Sequence, residues 1–233
     1  MKTLLKNFAL VTAVAGLAAG TAYSVPVLTI TDIESGVPTK IVVVQDNGAL
    51  DTSLEAGLIT YSGPVGAFNI TVDTGVTKPA IGSVTSPDMD LTFTVVSKGA
   101  GMLVLTLTDS GFIYTGSLWD RIGGTTAGTV SDNVLMGGGF GVNGLLTGAT
   151  NVASIAGLGS GAYSGQTWAN VILGSHAVGD YLSIQAVITQ TGAGSSSGDM
   201  EVSVPDGGTT AMLLGLGLLG VGFVARRFKS VKA

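Results

Sequence analysis

An antiparallel β-sandwich is the fold class this sequence predicts for its central part, and three observations predict it. Short runs rich in Val, Ile, Thr and aromatic residues alternate with turn residues from residue 27 to residue 204, the pattern of strands that bury one face. Glycine supplies 37 of the 233 residues, about twice the usual share of roughly 7%, with no Gly-X-Y period and with too much apolar residue for general disorder. No 3.6-residue hydrophobic period of any length occurs between Val25 and Val204. Roughly ten short strands without helices favour a sandwich, with a barrel second and a solenoid third; the lack of a fixed repeat counts against the solenoid.

The strands follow in order. Residues 27–31 and 40–44 are β-branched runs separated by Gly36, Val37 and Pro38, and Asp46-Asn47-Gly48 is a turn before a further candidate at 57–61. Residues 67–73 alternate for seven positions, which places Phe68, Ile70 and Val72 toward a core. Residues 91–95 and 102–108 are predicted to pair as a hairpin through Lys98-Gly99-Ala100-Gly101, and the glycine-rich segment 122–130 reads as a second hairpin after a candidate strand at 112–119. Between 137 and 165 the composition shifts to Gly, Ser, Ala and Thr, and irregular strands with long loops are expected. Residues 181–190 alternate again, 192–198 read as a Gly/Ser turn, and 199–204 form the last strand.

Both ends carry a different signature. Lys2 and Lys6 precede an apolar run over residues 8–19, followed by the small residues of Gly20-Thr21-Ala22 and Ala22-Tyr23-Ser24. That is the order of a secretory signal peptide over residues 1–24, with cleavage after Ala22 or Ser24, and it implies the Sec machinery and signal peptidase as partners. At the other end Val204-Pro205-Asp206-Gly207-Gly208 is a turn signal. An apolar run over 209–225 follows, then Arg226, Arg227, Lys229 and Lys232. The 15 uncharged positions 211–225 would make a helix about 23 Å long, short of the roughly 30 Å hydrocarbon core. With Thr209, Thr210 and the snorkelling arginines it spans a thinned bilayer, and the basic stop keeps residues 226–233 inside. The sequence thus divides into a signal peptide (1–24), one β-sandwich ectodomain (25–203) and a C-terminal segment (204–233) with a single transmembrane helix.

The order of Val204, Pro205, Asp206, Gly207 and Gly208, an apolar helix and a terminal Arg226-Arg227 stop resembles the PEP-CTERM class of sorting signals, and most closely its Val-Pro-Asp-Ser-Gly subtype, with Gly207 where that subtype has Ser. The resemblance covers about 30 residues. It implies that an integral-membrane transpeptidase of the exosortase type cuts near Pro205, that the helix holds the chain in the membrane before processing, and that the product passes to the cell surface or extracellular matrix. Segments such as 58–63, Lys78-Pro79 and 187–197 resemble, more loosely, ectodomains found before such tails, which implies a recurrent surface domain and no chemistry.

Charge and composition exclude several classes of function. From Val25 to Val204 four basic residues face 14 acidic ones, a net charge of −10, so no electrostatic footprint for nucleic acid exists. Cysteine is absent, which removes disulfides and thiolate metal sites. His176 is the sole histidine, too few for a multi-histidine metal centre. Ser175 or Ser183 with His176 and Asp180 lack the Gly-x-Ser-x-Gly strand-to-helix setting of a nucleophile elbow. Asp32/Glu34 and Asp88/Asp90 stand at alternate positions, as paired carboxylates of a glycosidase could, but solvated polar positions are the commoner explanation. The glycine clusters at 123–124 and 137–139 are not followed by the Gly-Lys-Ser/Thr of a phosphate cradle. A calcium site in the Asp46-Asn47-Gly48 loop with Asp51 is the one cofactor left open, although its spacing does not match an EF-hand. Trp119 and Trp168 suit a sugar-stacking platform or, more simply, core or edge aromatics.

The resulting expectation is a non-enzymatic exported protein, a structural or adhesive component of the cell surface or matrix. A module binding exopolysaccharide is the alternative, and an extracellular hydrolase a distant third.

Overall fold

The computed structural model describes residues 25–140, 146–174 and 181–205, and within these every regular element is a strand. The first six are β1 (Val27–Glu34), β2 (Val37–Gln45), β3 (Leu58–Val65), β4 (Phe68–Val76), β5 (Asp88–Ser97) and β6 (Gly101–Ser110). Then come β7 (Tyr114–Thr126), β8 (Thr129–Met136), the two-residue β9 (Gly139–Phe140) and β10 (Leu146–Thr147), β11 (Thr150–Leu158), β12 (Gly161–Leu173), β13 (Tyr181–Gln190) and β14 (Gly194–Ser203). The segments 1–24 and 206–233 lie outside the described residues, and no helix among those described is long and apolar enough to cross a membrane.

Two six-stranded antiparallel sheets carry the architecture. The first runs β11-β8-β13-β6-β1-β2 and the second β12-β7-β14-β5-β4-β3. Alternation explains how they meet. In β5, Met89, Leu91, Phe93 and Val95 are buried while the residues between them are partly or fully exposed, and β14 buries Met200 and Val202 on the same side. From the first sheet Leu28, Ile30, Leu103, Leu105, Leu107, Ile184, Ala186 and Ile188 join the same apolar cluster. The two inner faces therefore share one core, as the inside-outside period of strands requires. Central strands of the first sheet are covered on both sides: β6 also buries Thr106 and Thr108, and β1 buries Thr29 and Thr31.

Pairing differs from the local reading in three places. Neither predicted hairpin is one, because β5 pairs with β14 and β4 while β6 pairs with β1 and β13, so the chain crosses between sheets at residues 98–100. The β7–β8 connection crosses likewise through Ala127 and Gly128. Chain reversal and β-rich flanks are common to a hairpin and to an arch over the core, and only the identity of each strand's partners separates them. The expected turn at 192–198 is shorter, since β14 already begins at Gly194, where Thr126 Oγ1 and Ser196 Oγ lie 2.6 Å apart and Gln190 Nε2 donates to the same Ser196 oxygen. Third, residues 150–173 hold two long edge strands, β11 and β12, one on each sheet, in place of long loops; the expected irregularity persists in β11, whose register against β8 shifts between Asn151 and Ala153 and again between Ile155 and Leu158. The expected strands at 27–31, 40–44 and 181–190 are all present, two of them longer than expected; the Val72 side chain of the 67–73 alternation lies outside what is described.

Candidate functional site

The outward face of the second sheet, over β12, β7, β14 and β5, gathers the side chains best suited to contact a ligand. Register aligns them in two rungs. One rung places Trp168 opposite Trp119, Trp119 opposite Ser203, and Ser203 opposite Asp88. The next places Gln166 opposite Arg121, Arg121 opposite Glu201, and Glu201 opposite Asp90. Alternation sets this face: Leu118, Asp120 and Ile122 of β7 point inward, so Trp119 and Arg121 point out.

The two indoles stack, with ring centroids 6.4 Å apart and planes at 22°, and Trp168 on the edge strand is 55% exposed. Arg121 forms an ion pair with Glu201 through Nη2 and Oε2, and its guanidinium carbon stands 5.3 Å from the Trp119 ring centroid. The hydrogen bond that Arg121 donates to the Glu201 carboxylate holds the Arg121 pKa above its ordinary value. Burial first, then the Asp199 carboxylate, pushes Asp90 up to about 6, against a hydrogen bond from Thr74 Oγ1 at 3.3 Å that lowers it. Thr92 Oγ1 donates to Asp199 Oδ1 at 3.0 Å. A groove of about 430 Å³ runs along this face, lined by Trp119, Arg121, Gln166, Trp168, Glu201 and Ser203, and by Val204 and Pro205. An aromatic surface beside convergent hydrogen-bonding groups is chemically suited to a polyhydroxylated ligand, whose C–H face packs on indole while its hydroxyls meet the polar side chains.

Val204 and Pro205 leave β14 directly, half-buried and with no intervening linker. Asp206, Gly207, Gly208, Arg226 and Arg227 lie outside the described residues, as do Ala22 and Ser24 and the trio Ser175, His176 and Asp180. Ser183 is buried on β13, its hydroxyl 2.8 Å from Thr108 Oγ1. Asp32 and Glu34 do not form a carboxylate pair: a register shift after Asp32 leaves Asp32 buried and hydrogen-bonded by Thr39 Oγ1 at 2.7 Å while Glu34 is exposed. Asp88 and Asp90 do share the outer face. In the 46–51 loop the carboxylates knit backbone. Asp46 Oδ2 accepts from Gly57 N–H at 3.0 Å, and Asp51 accepts from Asn47, Ser53 and Thr60 N–H, each at 2.9 Å. Among the described residues no group of three or more His, Cys, Asp or Glu side chains is arranged to hold a metal ion.

Two buried polar clusters had no local signal in the sequence. Lys78 and Asp109 pair inside the domain at 2.7 Å. Asp120 on β7 and Asp132 on β8 face the core with neither exposed, and as carboxylates all four of their oxygens lack a hydrogen-bond partner. Burial raises both pKa values, and for Asp132 the charge of Asp120 raises it further. A proton held on Asp132 supplies the donor that the pair otherwise lacks. Tyr163, whose hydroxyl donates to Ser197 O at 2.9 Å, is pushed up to about 12 by burial and by Asp132.

An all-β domain whose last strand runs directly into Val204-Pro205 is the class of protein defined so far. Residues 203–228 match the family described as the VPDSG-CTERM motif. The chain carries a PEP-CTERM-type sorting signal behind a β-rich ectodomain, and that motif implies an exported protein, anchored in the membrane and handled by an exosortase-type enzyme. No curated protein matches the chain. Among solved structures it is similar to TmCBM61 in complex with β-1,4-galactotriose, at 7% identity over 62% of this chain and 92% of that one, with a TM-score of 0.34. It is also similar to a chain of infectious bursal disease virus, Gx strain, at 13% identity, with a TM-score of 0.29; the match covers 82% of this chain and 59% of the viral one. At TM-scores this low neither likeness bears on the fold or on a ligand.

Proposed function

We propose that the protein is a non-enzymatic adhesive component of the cell surface or extracellular matrix, secreted through a signal peptide over residues 1–24, held by a helix over 209–225 until it is cut near Pro205, and binding carbohydrate through the outer face of its second sheet. The observation that carries the carbohydrate reading is the stacked, solvent-facing pair Trp119–Trp168 flanked by Arg121, Gln166 and Glu201. Exopolysaccharide is the ligand class that fits an exported protein with such a face. The strong negative charge of the ectodomain favours neutral over acidic polymers, because acidic ones would be repelled.

Binding of the full chain to a panel of neutral and acidic polysaccharides tests this reading. Trp168→Ala, at an exposed edge position, is expected to weaken binding about tenfold, the loss of roughly 1.4 kcal/mol of aromatic contact, with thermal stability almost unchanged. Absence of binding to every polymer, or binding indifferent to both tryptophans, leaves a purely structural component and removes the carbohydrate role.

A further inference from the structure

The Lys78–Asp109 cluster has the geometry of a self-condensing pair, and we propose that Lys78 Nζ and Asp109 Cγ join in an intramolecular amide bond that ties the two sheets together. Lys78 lies in the connection after β4 of the second sheet, and Asp109 sits next to the end of β6 in the first. Their reacting groups are held at 2.7 Å, Nζ to Oδ2, with the side chains 2% and 0% exposed. Nζ also stands 4.2 Å above the centroid of the Phe112 ring, itself fully buried, and donates to the Ser110 carbonyl.

Donors are distributed over the carboxylate as the condensation needs them. Ser110 N–H donates to Asp109 Oδ1 at 2.7 Å, and Thr77 Oγ1 donates to Oδ2 at 2.9 Å. When Nζ adds to Cγ, negative charge gathers on Oδ1, where a backbone N–H already points. Oδ2 is then the leaving oxygen, with Nζ and the Thr77 hydroxyl as its neighbours. The step balances without a co-reactant: the ammonium and the carboxylate, +1 and −1, become a neutral amide and one water. The Nζ–Cγ bond forms, the Cγ–Oδ2 bond breaks, and two of the three ammonium protons leave with Oδ2, the first directly and the second directly or through Thr77. Proximity removes the entropic cost of bringing amine and acid together. An apolar site favours the product, since it replaces two buried charges with one neutral group. An exported domain without cysteine has no disulfide with which to make such a tie.

Peptide mapping of the folded, full-chain protein decides the matter. A chymotryptic map is expected to contain one branched species, the Lys78 peptide joined to the Asp109 peptide and lighter by one water than the two together, with fragment ions assigning the bond to those residues. Lys78→Arg keeps the charge but cannot form this amide, so its map should show two linear peptides. Two linear peptides with an unmodified Lys78 in the wild-type protein overturn the proposal. So does a water loss that persists in Lys78→Arg, because the dehydration would then lie elsewhere. The wild-type map alone suffices should the variant fail to fold.

Discussion

Asp120 and Asp132 show how much one buried pair can govern. Both carboxyls have raised folded-state pKa values, from an ordinary 3.8, so the folded chain binds protons more tightly than the unfolded one. Their contribution is fully present below about pH 4 and is lost as the pH rises through the folded values. Asp90, also raised, to about 6, acts in the same direction. Thermal and denaturant unfolding should therefore show stability falling from about pH 4 to about pH 6 through all three carboxyls, and on toward about pH 9 through Asp132 alone, by up to about 1.4 kcal/mol per pH unit for each proton involved. Asp132→Asn, which supplies a neutral amide donor to Asp120, should flatten that slope; an unchanged slope in the variant would mean that other groups set the pH dependence. Nothing in the sequence distinguishes these two aspartates from the solvated ones. Both stand in mixed polar stretches, and only the crossing of β7 to the opposite sheet brings their side chains together.

At the scale of strands, what the sequence made legible was periodicity. The alternation at 181–190 is reproduced as β13 to the residue, and Phe68 and Ile70 of the 67–73 run are buried as their spacing requires. Strand pairing was not legible, because Lys98-Gly99-Ala100-Gly101 signals a reversal without saying whether the next strand lies beside the last or across the core. Glycines hold further information that composition alone concealed. A Cβ on Gly124 would stand 2.1 Å from Ser197 O and 2.9 Å from Gly198 Cα, both backbone atoms of the paired strand β14, whereas one on neighbouring Gly123 would meet nothing closer than Tyr163 O at 3.7 Å. Gly124→Ala should thus force β7 and β14 apart and cost about 1–3 kcal/mol. Gly123→Ala should cost much less, and equal losses in chemical denaturation would contradict the close approach of these strands. The Trp119–Trp168 pair belongs to this scale as well: each residue was visible as a candidate platform, but their cross-strand register was not.

For the whole molecule, the distance from folded domain to processing motif is the decisive feature. β14 ends at Ser203 and Val204-Pro205 follows at once, lining the same groove as the two tryptophans. An exosortase-type enzyme must work against the face proposed to bind carbohydrate, so bound polymer should slow processing. The tail was the most legible part of the chain because its signal is an order of parts, turn, apolar run and basic stop, that requires no tertiary contact to be recognised. The ectodomain's role was the least legible, since its candidate ligand groups are spread over four strands and meet only through the sheet.

The mass of the mature protein, recovered from a host that has the exosortase, tests the sorting assignment most directly. The wild-type chain is expected to end near Pro205, without the apolar run 209–225, and to be found at the surface or in the medium. Replacing Pro205 and Asp206 with alanine should leave the longer form in the membrane. A mature wild-type chain that still ends at Ala233, or a variant of unchanged mass and location, would contradict it.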